Sequence, residues 1–289
     1  MTLWILGAKG QVGRAVTNLA RARGVAHTSF THTELDISDE KGVAAAINAD
    51  GTIINCAAFT AVDRSESEPE LAHGVNADAA AGLARVAAAR GLPLIHLSTD
   101  YVFDGTKTLP YVEEDIANPV SSYGRSKAEG EAAVRSLCPR HLIVRTSWVY
   151  AAEGSNFVRT VLRLASERRT LRVVADQRGG PTSADDLAEA ILTIANTINE
   201  PGFTGWGTYH FSGAPATSWY DFARAILAGR KDTKITPIDT ADYPTPARRP
   251  KNSVLDCSKI HARFGIGQPD WRTSLDRVLT EIAEKGSSQ

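Results

Sequence analysis

A tyrosine and a lysine four positions apart, Tyr123 and Lys127, form the pattern in this sequence that points most directly to chemistry. On a helix, positions i and i+4 share a face, so the phenol and the ammonium would point the same way. Reduction of a carbonyl needs a hydride on carbon and a proton on oxygen, and a phenol with an ordinary pKa of ~10 can give that proton if its phenolate is stabilised. A nearby cation lowers the pKa of a tyrosine, and such general-acid assistance is worth ~10²–10⁴ in rate. Exposed Tyr/Lys pairs are common, so the pattern needs support from its surroundings.

Polar residues also follow an apolar run upstream of this pair. Leu94–Leu97 has the pattern of a buried strand, and Ser98-Thr99-Asp100-Tyr101 comes directly after it. An ordinary turn explains these residues as well as an active site does. If the strand ends in a crevice, the Thr99 hydroxyl can hold a substrate oxygen in line with the phenol of Tyr123.

A glycine-rich turn near residue 10 predicts a dinucleotide site. Three glycines with the spacing GxxGxxG follow a predicted strand and open a predicted helix, which is the context that a phosphate-binding loop requires. Such glycines allow a tight turn and a close pyrophosphate, while the helix N-terminus offers free N–H groups and a partial positive charge. A glycine-rich turn without a ligand is the alternative. The candidate cofactor residues of this loop are Gly7, Lys9, Gly10, Gln11, Val12 and Gly13.

The choice between NADPH and NADH depends on the residues after the second predicted strand. Asp36 lies 23 residues beyond Gly13 and can take a ribose hydroxyl, although an aspartate there can equally cap a helix or a turn. No arginine follows this strand to bind a 2′-phosphate, but Lys9 or His32 can supply positive charge. The sequence therefore predicts NADPH or NADH without deciding between them.

The elements that must position these residues are predicted from an alternation of short apolar runs and helical patterns. In the first helix, apolar residues recur with the spacing of one helix face, as Val12, Val16 and Leu19 show. The alternation predicts an α/β fold with a doubly wound parallel sheet of the Rossmann type, covered by helices on both faces. The predicted strands are Leu3–Leu6, Ala26–Phe30, Thr52–Asn55, Leu94–Leu97 and Leu142–Arg145, and the predicted helices lie at about 11–23, 39–48, 70–90 and 123–137.

The pattern loosens after residue 150. Helices are predicted near 155–169, 183–197 and 217–229, and we expect a smaller C-terminal α/β lobe over the carboxyl edge of the sheet. The helix at 183–197 is expected to return to the first domain. The predicted division is an NAD(P)-binding domain at 1–150 with about 176–200, and a substrate-binding lobe at about 151–175 and 201–289.

The candidate groups fall just after successive predicted strands. In a doubly wound sheet, ligands bind beyond the carboxyl ends of the strands, so these groups should converge on one crevice. A polar end to the fourth strand is what an active site there requires. The groups are the glycine loop, Asp36, Ala57-Ala58, Ser98-Thr99-Asp100 and Ser147-Trp148, and Ile37, Thr60 and Asn76 complete the expected cofactor set.

Composition and charge exclude several classes of function. The net charge of −1 gives no indication of a nucleic-acid partner or of an anionic membrane surface. No apolar run approaches the ~20 residues needed to cross a bilayer. The histidines lack metal-ligand spacing, and the three cysteines, Cys56, Cys138 and Cys257, lie far apart. We therefore expect a cytoplasmic protein with reduced thiols and no histidine-bound metal.

Several segments together resemble one family of the extended short-chain dehydrogenases/reductases. Residues 55–66 are similar to its NAAAxTAVDxxE stretch, residues 98–103 match STDYVF, and residues 145–150 match RTSWVY. Residues 243–250, YPTPARRP, match its C-terminal signature. The chain is thus similar over nearly its whole length to the dTDP-4-dehydrorhamnose reductases.

This resemblance implies that NADPH or NADH reduces the C4 ketone of dTDP-4-dehydro-6-deoxy-L-mannose to give dTDP-L-rhamnose. It implies a catalytic triad of Thr99, Tyr123 and Lys127, of which the last two also contact the cofactor. It also implies that the C-terminal lobe binds the sugar nucleotide. The substrate-binding residues that it implies are Val62, Thr99, Asp100, Tyr101, Trp148 and Arg248.

One departure from the family concerns a metal. Some members bind Mg²⁺ at a dimer interface through glutamates, one of them two residues after the third glycine of the loop. Here that position is Ala15, and another of those positions holds Asp185. The Mg²⁺-bridged dimer is therefore in doubt, and we expect a monomer or a weak homodimer.

Two other functions share this fold. A sugar-nucleotide dehydratase or epimerase is one, but the dehydratases usually show Thr-Asp-Glu where this chain has Thr99-Asp100-Tyr101, so the glutamate that elimination would use is missing. The other is a non-catalytic, cofactor-binding partner, since the regulatory subunit of methionine adenosyltransferase resembles the same family. The complete set of Thr99, Tyr123 and Lys127 favours retained catalysis.

Overall fold

The computed structural model describes residues 2–230 and 232–286. Strands and helices alternate through its first half, as the sequence predicts, and the predicted helix at about 70–90 is two helices joined by a π turn at Gly74–Asp78. The elements are β1 (Thr2–Leu6), α1 (Gln11–Ala22), β2 (His27–Phe30), α2 (Glu40–Ala46), β3 (Gly51–Asn55), α3 (Arg64–Ser67), α4 (Pro69–His73), α5 (Ala79–Ala89), β4 (Leu94–Thr99), α6 (Ser122–Leu137) and β5 (His141–Thr146).

The second half contains shorter strands. Its elements are β6 (Val149–Tyr150), α7 (Phe157–Glu167), β7 (Thr170–Val174), β8 (Arg178–Gly179), β9 (Thr182–Ser183), α8 (Ala184–Thr197), β10 (Gly207–His210), β11 (Thr217–Ser218), α9 (Trp219–Ile226), β12 (Lys234–Ile238), α10 (Ser258–Phe264) and α11 (Trp271–Gly286). The helices α7, α8 and α9 lie where the sequence predicts them. The strands after residue 150 and the last two helices were not predicted.

The main sheet has six parallel strands in the order β2-β1-β3-β4-β5-β10. The chain runs outward from β1 to β2 and then crosses to β3 on the other side of β1. The switch point of the sheet therefore lies between β1 and β3. The predicted doubly wound parallel sheet is confirmed.

Helices cover both faces of this sheet. Alternate residues of β1 belong to different hydrophobic clusters, with Leu3 and Ile5 in the cluster that contains α8, and Trp4 and Leu6 in the cluster that contains α5. α8 thus packs on the same face of the main sheet as α1. The wider division of the chain stays a prediction, and residues 231 and 287–289 of the expected lobe lie outside the described residues.

The C-terminal lobe has its own apolar core. Aromatic side chains of Tyr150, Phe222 and Trp271 meet in it, packed by α7, α9 and α11 beside the parallel pair β7 and β12. None of the described helices combines the length and the apolar character needed to cross a bilayer.

Close packing fixes α6 against the sheet. A Cβ atom on Gly124 would lie 2.2 Å from the carbonyl oxygen of Tyr101, and one on Gly130 would lie 2.0 Å from that of Asn76. On the buried side, the guanidinium of Arg145 donates two hydrogen bonds, of 2.8 and 2.7 Å, to the carboxylate of Glu131. These contacts leave α6, which carries Tyr123 and Lys127, little freedom to shift.

The variant Gly130→Ala is expected to lower the free energy of unfolding by about 1–3 kcal/mol, because the added methyl group must displace α6 or the π turn. Gly74→Ala is the matched control: no atom lies within 4 Å of an added Cβ there, and its backbone is helical. That variant should be neutral or slightly stabilised. Chemical denaturation measures both, and equal stabilities of the two variants would contradict the close contact at Gly130.

Candidate active site

The loops after β1 and β3 touch through their backbones at the switch point of the sheet, where a glycine leaves no side chain between them. Gly7 has a φ of 78°, which side chains disfavour, and a Cβ there would lie 2.6 Å from the backbone nitrogen of Ala57. A Cβ on Gly13 would lie 2.2 Å from the carbonyl oxygen of Gly7. Both glycines are therefore required for the loop to fold against its neighbours.

The N-terminus of α1 follows this loop, and no acidic side chain of its first turn occupies the place where an anion could bind. Gly10 is its N-cap, no side chain caps the helix, and its first turn contains no acidic residue. Unpaired N–H groups and the helix dipole favour an anion at such an end. Together with the glycine contacts, this geometry fits the pyrophosphate of a dinucleotide. Of the other predicted loop residues, Lys9 is exposed, Gln11 accepts a hydrogen bond from Asn156 (2.9 Å), and Val12 packs on the core.

The end of β2 lies beside the glycine loop, because the Ala8 N–H donates to the carbonyl of Phe30 (2.9 Å), and Asp36 follows on the segment after this strand. The Asp36 carboxylate is half-exposed and accepts the Ser38 N–H (2.9 Å), which lowers the pKa of the carboxyl. Ile37 beside it is buried. An ionised, accessible carboxylate at this point is suited to accept ribose hydroxyls.

Asn76 holds the loop that follows β3. Its side-chain oxygen accepts the Phe59 N–H (2.9 Å), and its amide nitrogen donates to the Phe59 carbonyl (3.0 Å) and to the hydroxyl of Ser126 on α6 (3.0 Å). Asn76 therefore positions the loop that carries Ala57, Ala58 and the exposed Thr60. Direct contact of Asn76 with the cofactor stays a prediction.

The start of α6 is fixed at the carboxyl end of β4. The Ser121 hydroxyl accepts the Gly124 N–H (3.1 Å), and the Glu66 carboxylate accepts both the N–H (2.7 Å) and the hydroxyl (3.0 Å) of Ser122. These bonds place Tyr123 in the first turn of α6, with its phenol within reach of the Thr99 hydroxyl. This role of Glu66 was not predicted, although the glutamate in the motif at residues 55–66 is a polar residue that could have indicated it.

Thr99, Tyr123 and Lys127 come together in a buried environment. Burial raises the pKa of Tyr123 to about 12, although hydrogen bonding to Thr99 opposes this shift. The Lys127 ammonium donates to the carbonyl of Leu97 (2.7 Å), and burial lowers its pKa to about 8 against the opposing charge of Glu131. In the protein alone, loss of water around the phenol outweighs the lowering that we expected from Lys127, so the pKa of Tyr123 lies above its ordinary value.

Two of the residues expected around the sugar, Tyr101 and Asp100, lie beside this triad. The ring of Tyr101 meets the ring of Tyr123 edge-on, with centroids 5.9 Å apart. Asp100 is buried next to Thr99, whose hydroxyl donates to it (3.0 Å), and burial raises the pKa of Asp100 to about 7. Val62 is half-buried, and its carbonyl accepts the Ser65 hydroxyl (2.6 Å).

Trp148 joins the sheet to the lobe. Its φ of 48° is rare for a residue with a side chain, and its ring stacks on Trp219 with centroids 3.5 Å apart and planes 7° apart. A Cβ on Gly179 would lie 2.5 Å from the Trp148 ring. Trp219 was not among the predicted site residues.

The two arginines of the C-terminal signature have different surroundings. Arg248 is exposed, so its contact with the nucleotide stays a prediction. The Arg249 guanidinium instead donates to Asp63 (2.9 Å) and to Thr245 (2.6 Å) and reaches Tyr101. Arg249 therefore lies against Tyr101 of the candidate site, a position that was not predicted separately from that of Arg248.

The residues at the expected metal position do not fit Mg²⁺. Ala15 has no ligand atom, and the Lys285 ammonium already pairs with the carboxylates of Glu153 and of Glu281 (2.7 Å). Asp185 remains as a single carboxyl, whose pKa is raised by burial and by the charge of Glu281. Across residues 2–230 and 232–286, no three or more His, Cys, Asp or Glu side chains are grouped so that they could hold a metal ion.

Comparison with known proteins gives a consistent assignment. A family model described as the RmlD substrate binding domain matches residues 1–284. The dTDP-4-dehydrorhamnose reductase of Sinorhizobium fredii is 45% identical over 99% of both chains, and that of Aggregatibacter actinomycetemcomitans is 43% identical over 96% of this chain and 97% of the other.

Solved structures agree. The dTDP-4-dehydrorhamnose reductase of Clostridium acetobutylicum has a TM-score of 0.92 at 38% identity, covering 98% of this chain and 100% of the other. The Bacillus anthracis reductase, solved in complex with NADP, has a TM-score of 0.90 at 35% identity, covering 97% and 99%. A UDP-glucose 4-epimerase of Thermus thermophilus, at 18% identity and a TM-score of 0.82 over 98% and 99% of the two chains, shares the fold alone. The chain belongs to the dTDP-4-dehydrorhamnose reductase family of NAD(P)H-dependent oxidoreductases.

Proposed function

We propose that this enzyme reduces the C4 ketone of dTDP-4-dehydro-6-deoxy-L-mannose to dTDP-L-rhamnose, with NADPH, or alternatively NADH, as hydride donor. The observation that carries the proposal is the convergence of Thr99, Tyr123 and Lys127 at the carboxyl end of β4, in the sheet whose switch point holds the glycine loop. The names of the relatives and the NADP bound to the Bacillus anthracis reductase support it.

The proposed roles follow from the protonation states of the site. The bound nicotinamide supplies the hydride. Tyr123, whose pKa is about 12, keeps its proton at neutral pH and gives it to the ketone oxygen. Thr99 orients that oxygen, and the Lys127 ammonium, whose pKa is about 8, is charged at pH 7 and stabilises the phenolate that forms.

The proposed cofactor site combines the α1 N-terminus with the residues after β2 and β3. Backbone N–H groups of the glycine loop hold the pyrophosphate, and the Asp36 carboxylate accepts a ribose hydroxyl. Lys9 is exposed beside the loop and supplies positive charge for the 2′-phosphate of NADPH. Ala57, Ala58 and Thr60 line the side of the cleft that Asn76 supports.

The proposed substrate lobe comprises about 151–175 and 201–289, with the cofactor domain at 1–150 and about 176–200. Tyr101 and Trp148 line the sugar with Val62 and Asp100, and Arg248 lies toward the nucleotide. We place the enzyme in the cytoplasm as a monomer or weak homodimer, without a nucleic-acid or membrane partner. Three unpaired cysteines and the poor fit to a bridging metal support this placement.

Removal of the phenolic oxygen tests the proton donor. Tyr123→Phe should lower kcat by about 10²–10⁴, because the ketone oxygen loses its general acid. NADPH oxidation at saturating ketosugar nucleotide measures kcat, and NADPH fluorescence titration should show that cofactor binding is kept. Tyr220→Phe, in the lobe on α9, is the control and should retain activity. Near-normal turnover of Tyr123→Phe would remove Tyr123 from this role.

The same assay separates the enzyme from a non-catalytic partner. A partner protein of this fold would bind NADPH but would leave it unoxidised in the presence of the ketosugar nucleotide. Oxidation of NADPH with release of dTDP-L-rhamnose would establish the proposed reaction, and comparison of dTDP- with UDP-linked substrates would show whether the base is recognised.

Chelation tests whether the enzyme depends on Mg²⁺. Because Ala15 supplies no ligand atom and Lys285 neutralises the carboxylates of Glu153 and Glu281, kcat and the sedimentation coefficient should be the same in excess EDTA and in millimolar MgCl₂. Loss of activity in EDTA that Mg²⁺ restores would contradict the poor fit of this site to a metal.

A further inference from the structure

We propose that Asp100 is a positioning residue for proton transfer: its carboxyl decides which way the Thr99 hydroxyl points, and only the neutral carboxyl frees that hydroxyl for the ketone oxygen. The proposal rests on the proposed function, in which Thr99 orients the ketone. It gives Asp100 a role in the chemical step besides the contact with the sugar that its position implies.

The geometry at Thr99 shows how its hydroxyl is used. A threonine hydroxyl has one hydrogen to donate and two lone pairs that can accept. The hydrogen goes to the carboxyl of Asp100 (3.0 Å), and one lone pair accepts the N–H of Tyr101 (3.2 Å). The Thr99 hydroxyl also lies within hydrogen-bonding reach of the phenol of Tyr123. In this arrangement Thr99 has no hydrogen left for a substrate.

The second oxygen of Asp100 is unpaired. Asp100 is only 2% exposed, and its Oδ2 is buried without a hydrogen-bond partner. The nearby Ser253 hydroxyl, which lowers the pKa of the carboxyl somewhat, donates to the carbonyl of Arg178 (3.3 Å). Asp100 forms no salt bridge with any residue of the described ranges. A buried carboxylate with one unmet oxygen is costly, which favours the neutral acid.

Protonation of Asp100 changes the direction of the hydrogen bonds. An ionised Asp100 can only accept, so Thr99 must donate to it and accept from Tyr123, which draws the phenolic proton away from the ketone. A neutral Asp100 can donate its own proton to Thr99. The Thr99 hydrogen and the Tyr123 proton are then both available to the ketone oxygen. No proton is lost from Asp100 in the cycle, since Tyr123 remains the donor to substrate.

Several groups face Asp100 and set the pH at which this change occurs. Tyr101 lies on its own turn, Tyr123 on α6, and Ser253 on the segment after Arg249. Burial raises the pKa of Asp100 to about 7, so the neutral form predominates below that pH and the carboxylate above it. Lys127 titrates nearby, with a pKa of about 8, and must be distinguished from Asp100.

The test compares pH profiles of kcat for the wild-type enzyme, Asp100→Asn, Thr99→Val and the double variant, at saturating NADPH and ketosugar nucleotide. Wild-type kcat should fall as the pH rises through about 7, approaching tenfold per pH unit. Asp100→Asn should keep a kcat close to that of the wild type at pH 6, because its amide N–H can donate to Thr99 as the neutral carboxyl does, and should lose this fall, since asparagine does not ionise. The double variant should be no slower than Thr99→Val, because Asp100 acts through Thr99.

Other outcomes would overturn the proposal. A fall that persists unchanged in Asp100→Asn belongs to Lys127, and rate losses that multiply in the double variant would mean that Asp100 acts independently of Thr99. If Asp100→Asn does not bind NADPH, and is therefore not folded, the two Thr99 variants decide. Thr99→Val must lose most of the decrease in kcat near pH 7. Thr99→Ser, which keeps the hydroxyl, must retain that decrease. Failure of the proposed function looks different: the wild-type enzyme would oxidise no NADPH at any pH.

Discussion

The ammonium of Lys127 must stay charged although it is buried away from water, and this requirement constrains the rest of the molecule. Lys127 is 2% exposed, and burial weakens its hold on its proton. One turn further along α6, the buried carboxylate of Glu131 favours the charged lysine and is itself neutralised by the two hydrogen bonds from Arg145. Breaking such a buried pair typically costs about 3–5 kcal/mol. The ammonium is therefore kept charged by a pair that also locks α6 to β5.

Family motifs that are distant in sequence are joined to one another and to α6 by hydrogen bonds. The stretch at 55–66 supplies Glu66, which holds the first turn of α6, and Asp63, which holds Arg249 of the C-terminal signature. The π turn supplies Asn76, which ties α6 to the loop after β3. π turns inside helices are frequent at functional sites. Much of what looks like a binding motif in the sequence is thus a set of supports for the triad.

The parts of the structure that could be predicted are those with a local signal. Continuous apolar runs marked β1, β3, β4 and β5, and the i, i+4 spacing placed Tyr123 and Lys127 on one face. β10 was missed because Gly207-Thr208-Tyr209-His210 has no apolar run, and its pairing with β5 decides its conformation. The partners of Glu66 and Arg249, and the direction of the Tyr123 pKa, depend on burial that only the folded chain creates.

The backbone at Trp148 shows how the lobe is tied to the chemistry. A positive φ at a tryptophan costs about 1–3 kcal/mol and persists only where the surroundings enforce it. Here the Trp148 ring is held between Trp219 and the bare backbone of Gly179, both in the part of the chain that follows β5. Trp148 lies two residues after the end of β5, so a shift of the lobe would move the indole relative to Tyr123. The substrate wall that we propose at Trp148 is therefore held in place by contacts with the lobe.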